Sequence, residues 1–123
     1  MNQIIQIEQA VKDFIGAGDT NDIQLLDKLL HKDYQNVQDG FFDKPGLYQF
    51  SKEEYKGLVG KKTFGGVPRT ITVHSIEEYG SHLAVVNVAL ESEALLFNSV
   101  IVVVRESSDW QILNNFPKIV GKE

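Results

Sequence analysis

Apolar residues Ile4, Ile7, Val11, Phe14 and Ile15 recur at spacings of three and four, which marks one face of a helix opening the chain. Gly16 and Gly18 end it, and "GDTND" (18–22) turns the chain. Asn21 is placed to cap a second helix, with Gln24 as its capping-box partner. Leu25, Leu26, Leu29 and Leu30 give that helix its apolar side, and His31 and Lys32 fall in its last turn, where cations suit the negative end. The stretch 33–50 is ambiguous. "DYQNVQDGFF" reads as a short strand and "DKPG" (43–46) as a turn with proline at a favoured position. Ser51 and Glu54 then form a capping box, with Phe50 and Tyr55 at the staple positions, and predict a third helix over 52–61 with Leu58 and Val59 turned inward.

From residue 69 the period changes to two. "RTITVHSIEEY" puts Ile71, Val73 and Ser75 on one face and Thr70, Thr72, His74 and Ile76 on the other. "YGSH" (79–82) is a hairpin turn, and "LAVVNVALES" follows with one polar interruption at Asn87. "ALLFNSVIVVVRE" is apolar on both faces, which predicts cover on both sides. "SSD" turns the chain into "WQILNNF", where alternation groups Trp110, Ile112, Asn114 and Phe116 against Gln111, Leu113 and Asn115. Helices followed by a long antiparallel meander predict an α+β fold in a single domain over residues 1–123. The doubly apolar strand needs a second cover that so short a chain has few helices to supply, and a homodimer packing outer sheet face on outer sheet face is the economical solution.

Composition removes several function classes. With no cysteine there is no disulfide or thiol chemistry, and a structural zinc site is disfavoured. A net charge of −5 without a Lys/Arg cluster gives no footprint for nucleic acid. The longest apolar run, "VIVVV" (100–104), is far too short to span a bilayer. The first ten residues lack the basic leader and apolar run of a signal peptide, so a cytoplasmic protein is expected. No His-x-x-x-His, Glu-x-x-His, glycine-rich phosphate loop or nucleophile elbow is present, so neither metal nor cofactor is expected. "GKKTFGG" (60–66) has its lysines too early for a phosphate loop and reads as a flexible connector.

The order of helix, "AGDTNDIQLLDKLLHKDY", strand, short helix, "ITVHSIEEYGSHLAVVNVAL" and "DWQILNNF" resembles the nuclear transport factor 2-like superfamily. Within it the chain is most similar to the groups described as "putative lumazine-binding" and as polyketide cyclase-like (SnoaL-like). Gly18-Asp19, the hairpin Gly80-Ser81-His82-Leu83-Ala84 and Trp110-Gln111-Ile112 carry the resemblance. It implies a cone, in which a strongly bent antiparallel sheet wraps a long first helix, with two shorter helices and a cavity at the open end. The fold hosts enzymes, binders and scaffolds alike.

Ketosteroid isomerases share that fold and use a carboxylate base with a tyrosine and a protonated aspartate as donors, a site that is itself a general reference case. The resemblance implies a base near Asp39, but puts Phe14 and Ser99 where the two donors would be, and a phenyl ring donates nothing. A cyclase-like reading needs a histidine and an acid. His74 is mid-strand with no partner at an obvious position, and His82 sits in a turn. Asp39 beside Gly40 also reads simply as a turn residue, and His74 as a surface one. A binding module remains, with Phe14, Tyr34, Phe41, Phe42, Tyr48, Phe50, Phe97 and Trp110 as pocket material and Asn87, Asn114 and His31 as orienting polar groups. Asn114 either bonds backbone at the end of the sheet or meets a ligand. Three functions are therefore open: a small-molecule-binding homodimer, a weak isomerase, dehydratase or cyclase using Asp39 or His74, and an association domain whose cavity is incidental.

Overall fold

The computed structural model describes residues 2–41 and 43–121. Helix α1 (Gln3–Asp19) starts where the Asn2 side chain accepts the Ile4 N–H at 2.9 Å, and it buries Ile7, Ala10, Val11, Phe14 and Ile15. It does not stop at Gly16 but runs through Gly18, closing where the Thr20 N–H and hydroxyl both donate to the Gly16 carbonyl. Helix α2 (Ile23–Leu29) is capped by Asp22, whose carboxylate accepts the Leu25 N–H at 3.1 Å. Asn21 is not the cap. It sits at φ 53 and sends its amide to the carbonyls of Val59 (3.0 Å) and Phe64 (3.1 Å). Those bonds pin "GKKTFGG" down. Gly66 N–H donates to the Gly18 carbonyl, and Gly65 lies so close that a Cβ there would stand 2.0 Å from the same oxygen. The predicted flexible connector is a clasp on the end of α1.

Strand β1 (Leu30–Phe41) begins directly after α2, so His31 and Lys32 belong to a strand rather than a helix end. The fully buried Leu30, in register with Ile112, draws the chain into the sheet there. β1 forms a hairpin with β2 (Lys44–Ser51), and the Ser51–Glu54 capping box opens α3 (Lys52–Gly60) with both of its bonds made, at 3.2 and 2.9 Å. Strands β3 (Thr70–Glu78), β4 (Leu83–Glu91), β5 (Leu95–Val104) and β6 (Gln111–Gly121) complete the meander. The sheet is six-stranded, curled and unclosed, in the order β2-β1-β6-β5-β4-β3, and the first hairpin docks on β6 through the parallel β1–β6 pair. The inner face packs on α1 through Val86, Val88, Leu90, Ile101, Val103 and Ile112.

Bulges in β3 and β6 reset which side chains face in. In β3, Val73 pairs with Val88 but Ser75 pairs with Asn87, leaving His74 unpaired. Ile71, Val73 and Ile76 therefore share the core face, while Ser75 turns outward. In β6, Ile112 pairs with Val103 and Asn114 with Val102, so Leu113 is the extra residue. Asn115, not Asn114, joins Ile112 inside. Among the described residues no helix is long and apolar enough to cross a membrane.

Candidate functional site

The inner face of β1 alternates Tyr34, Asn36 and Gln38, all buried, and delivers one ring and two amides to the interior of the cone. From α1 comes Phe14, 6.2 Å from the Tyr34 ring, and from α3 comes Tyr55, 5.3 Å from it. Phe64 on the clasped loop touches Tyr55 at 5.9 Å and passes the contact to Phe41 and Phe50, each at 5.8 Å. Tyr48 closes the series against Phe41 at 5.4 Å. The rings grade from buried Phe14 and Tyr34 to half-buried Phe41, Tyr48 and Phe50 toward the β1–β2 end. Phe42 lies outside the described residues.

A chain of amides runs beside these rings. Gln38 donates to the Gly40 carbonyl at 3.0 Å, Asn36 donates to Gln38 Oε1 at 2.7 Å, and Asn115 donates to Asn36 Oδ1 at 3.2 Å. The direction is fixed by chemistry, because a backbone carbonyl only accepts and so every amide upstream must present its nitrogen. The chain therefore ends on Asn115 Oδ1, a buried acceptor without a donor. The Tyr34 hydroxyl lies beside Asn115 and is also buried and unpartnered. Burial raises the Tyr34 hydroxyl well above its ordinary range; neighbouring Tyr55 adds to the rise, and Asn115 opposes it. Burial likewise pushes Tyr55 up to about 12. Both rings keep their protons at neutral pH. A buried polar atom left without a partner costs roughly 1–3 kcal/mol, and a hydroxyl beside an amide oxygen sets a donor next to an acceptor, so the two can close on each other or on a ligand.

Close enough to Tyr55 for both charges to act on it, Asp19 takes both the backbone N–H of Arg69 (3.1 Å) and its Nε (2.6 Å), and the guanidinium lies over the Phe97 ring at 4.8 Å. The ion pair is satisfied within itself.

The other sequence-predicted residues lie elsewhere. Asp39 is exposed on the face opposite Gln38, so the interior receives an amide where a base was expected, and an amide cannot take a proton. His74 is exposed at the β3 bulge, because a bulged residue leaves the alternation of its strand. Asn87 faces outward and donates to Ser75 Oγ at 3.2 Å. Asn114 faces outward beside Gln35 and Val102. Trp110 is buried five residues before Asn115, and with the bulged Leu113 discounted that is roughly 13 Å along the strand. There Arg105 covers its ring at 5.0 Å and ties Ser81 and Gln3 together, so the indole belongs to the hairpin-turn end of the cone and not to its ring-lined end. His31 lines a separate cleft outside the cone. Of the six candidate binding residues, only Tyr34 and Tyr48 join the aromatic interior. Asn36, Gln38, Asn115 and Tyr55 were missed, although Tyr34-x-Asn36-x-Gln38 was readable as one polar strand face. Among the described residues, no group of His, Asp or Glu gathers as metal ligands.

A family model described as "Putative lumazine-binding" matches residues 2–116. The chain belongs to that family. No curated protein matches it. Its fold is that of nuclear transport factor 2-like proteins. One of unknown function from Silicibacter pomeroyi superposes with a TM-score of 0.81 at 14% identity, covering 95% of each chain. Another of unknown function, from Shewanella baltica, gives 0.81 at 10% identity, covering 98% of this chain and 95% of that one. A ketosteroid isomerase-like protein from Erwinia carotovora gives 0.78 at 13% identity, covering 98% of both. At such identities the likeness shows the fold alone.

Proposed function

We propose that the interior of the cone binds a small, uncharged, planar molecule that brings a hydrogen-bond donor to Asn115 Oδ1, and that the protein works as a homodimer through the outer face of its sheet. The observation that carries the binding role is the polarity of the amide chain, which leaves an acceptor at its inner end beside the protonated Tyr34 hydroxyl. A ligand edge carrying an N–H next to a carbonyl satisfies both atoms, the N–H on Asn115 and the carbonyl on Tyr34. The flanking rings favour a flat aromatic body. Charge is disfavoured, because Asp19 and Arg69 already neutralise each other and a buried unpaired charge is expensive. The half-buried Phe41, Tyr48 and Phe50 are the rings of the series nearest solvent.

Lumazine, suggested by the family description, has this donor–acceptor edge; 1,3-dimethyllumazine has the same rings and no N–H. Native mass spectrometry and isothermal titration should show the parent binding and the dimethyl compound binding about tenfold more weakly or worse, as loss of one buried hydrogen bond requires. Equal affinities would refute the donor requirement. If neither these nor other neutral heteroaromatics bind, the rings are simply core and the receptor reading fails.

A further inference from the structure

The cleft outside the cone, of about 520 Å³, lies between the start of β1, Lys52 at the start of α3, and the turn that carries Glu106 and Ser107. We infer that this cleft is a binding site for a small oxyanion, a carboxylate or a phosphate monoester, and that Glu106 occupies it in the resting protein. His31 is the core of the site. Its side chain is 8% exposed, and its Nδ1 accepts the Asp33 backbone N–H at 3.0 Å, so in the neutral ring the proton is on Nε2. That Nε2–H points into the cleft and bonds the Glu106 carboxylate. The same geometry rules out a Ser107–His31 nucleophile pair, since neither ring nitrogen is left to accept a hydroxyl proton.

His31, Lys32, Lys52 and Ser107 bring donors to this cleft, while Gln111, also in its lining, spends its Nε2 on the Lys28 carbonyl. Lys32 is close enough for its charge to act on Glu106, and Ser107 lines the same cleft. Lys52 is anchored on the carbonyls of Asp27 (2.8 Å) and Leu30 (3.0 Å), and it adds positive potential from a fixed position. Of the nearby acids, Asp27 is held by Lys52 and Lys56, and Asp33 approaches the Nδ1 side of the ring, away from the cleft. Glu106 itself is 66% exposed and hangs from a turn between β5 and β6. A buried donor has thus been built to face a carboxylate, while the carboxylate that meets it is free to swing into water. An incoming oxyanion takes over the His31 bond, and Glu106 regains its hydration.

The ¹H–¹⁵N ring resonances of His31 in the intact protein read this directly, with acetate and inorganic phosphate as probes. In Glu106→Ala, at least one anion should shift those resonances at about one-tenth of the concentration needed by the wild type, as removal of an occupant that holds the site nine-tenths of the time requires. Adding Lys32→Gln, an exposed change that leaves folding intact, should weaken the response about threefold. A response to acetate alone assigns a carboxylate ligand, and one to phosphate assigns a phosphate monoester. Resonances unmoved by either anion in Glu106→Ala, or shifted identically with and without Lys32, would overturn the assignment.

Discussion

Asn115 donates its amide to Asn36 across 3.2 Å inside the cone, while Asn114, one residue earlier, faces the opposite side of the sheet. The Leu113 bulge makes the two asparagines inequivalent, and substitution should show it. Asn115→Leu strips the donor from the buried Asn36 Oδ1 and should lower stability by about 1–3 kcal/mol. Asn114→Ala should stay within about 0.5 kcal/mol at protein concentrations where the chain is monomeric. Tyr34→Phe removes a buried hydroxyl whose one polar neighbour is Asn115, and should change stability by no more than about 1 kcal/mol. Urea denaturation measures all three, and a larger loss at 114 than at 115 would mean that the register runs the other way.

The clasp on α1 makes predictions of opposite sign within a few residues. Gly65 combines φ +76 with no room for a Cβ, so Gly65→Ala should cost at least about 2 kcal/mol. Asn21→Ala loses a favoured left-handed residue and two hydrogen bonds, and should cost a similar amount. Lys62, also left-handed at φ 63, lies just beyond the end of α3, where glycine is the better residue. Lys62→Gly should raise stability by about 0.5–1 kcal/mol. Thermal melts of the three variants give the signs directly.

What the pattern of residues revealed, and what it hid, follows from the same local chemistry. Helical spacing placed α1, and the Ser51–Glu54 box placed α3, because those signals live within a few neighbouring residues. The period of two located β3 to β6 but could not place a bulge, and a slip of one residue exchanges the two faces of everything beyond it. That is why alternation groups Ser75 with Ile71 and Val73, and Asn114 rather than Asn115 with Ile112. β1 was unreadable as a full strand because its inner face is Tyr34, Asn36 and Gln38, where hydrophobicity gives no alternation to follow. The Gly18-Asp19 pair was visible only as a resemblance. The structure supplies its reason, since the Gly18 carbonyl receives Gly66 and the Asp19 carboxylate holds Arg69 at two points.

Stability should fall on the alkaline side in a way traceable to two rings. Folding raises Tyr34 and Tyr55 above the ordinary tyrosine value near 10, with Tyr55 at about 12, so the folded state holds protons that the unfolded chain releases. Their contribution is complete below pH 10 and drains away as pH climbs toward and through the folded values, at up to about 1.4 kcal/mol per pH unit for each ring. Guanidinium midpoints measured from pH 8 to 11.5 should be flat and then decline, and Tyr55→Phe should make the decline shallower. On the acid side, Glu54 is held low by its hydrogen bonds from Ser51 and Glu106 by His31, so their contributions are present at neutral pH and are lost as pH falls below the usual carboxylate range.

The proposed dimer rests on the outer face of β4, β5 and β6, where Val85 pairs with Val102, Val102 with Asn114, and Val100 with Phe116. Phe116 is 40% exposed and Leu96 39%, on a sheet face that no helix covers among the described residues. A second copy is a fitting cover because the face is self-complementary: a two-fold axis through the sheet sets valines on valines and lets Asn87 and Asn114 find amide partners across it. Val102 sits in the middle of this patch. Val102→Lys removes an apolar contact worth roughly 1.5–3 kcal/mol on each side and sets two like charges close together across the axis. Light scattering at micromolar concentration should then show a dimer for the wild type and a monomer for Val102→Lys, with the circular dichroism of the fold retained. A wild-type protein already monomeric under those conditions would leave this face to some other cover, and would separate the receptor function of the interior from any self-association.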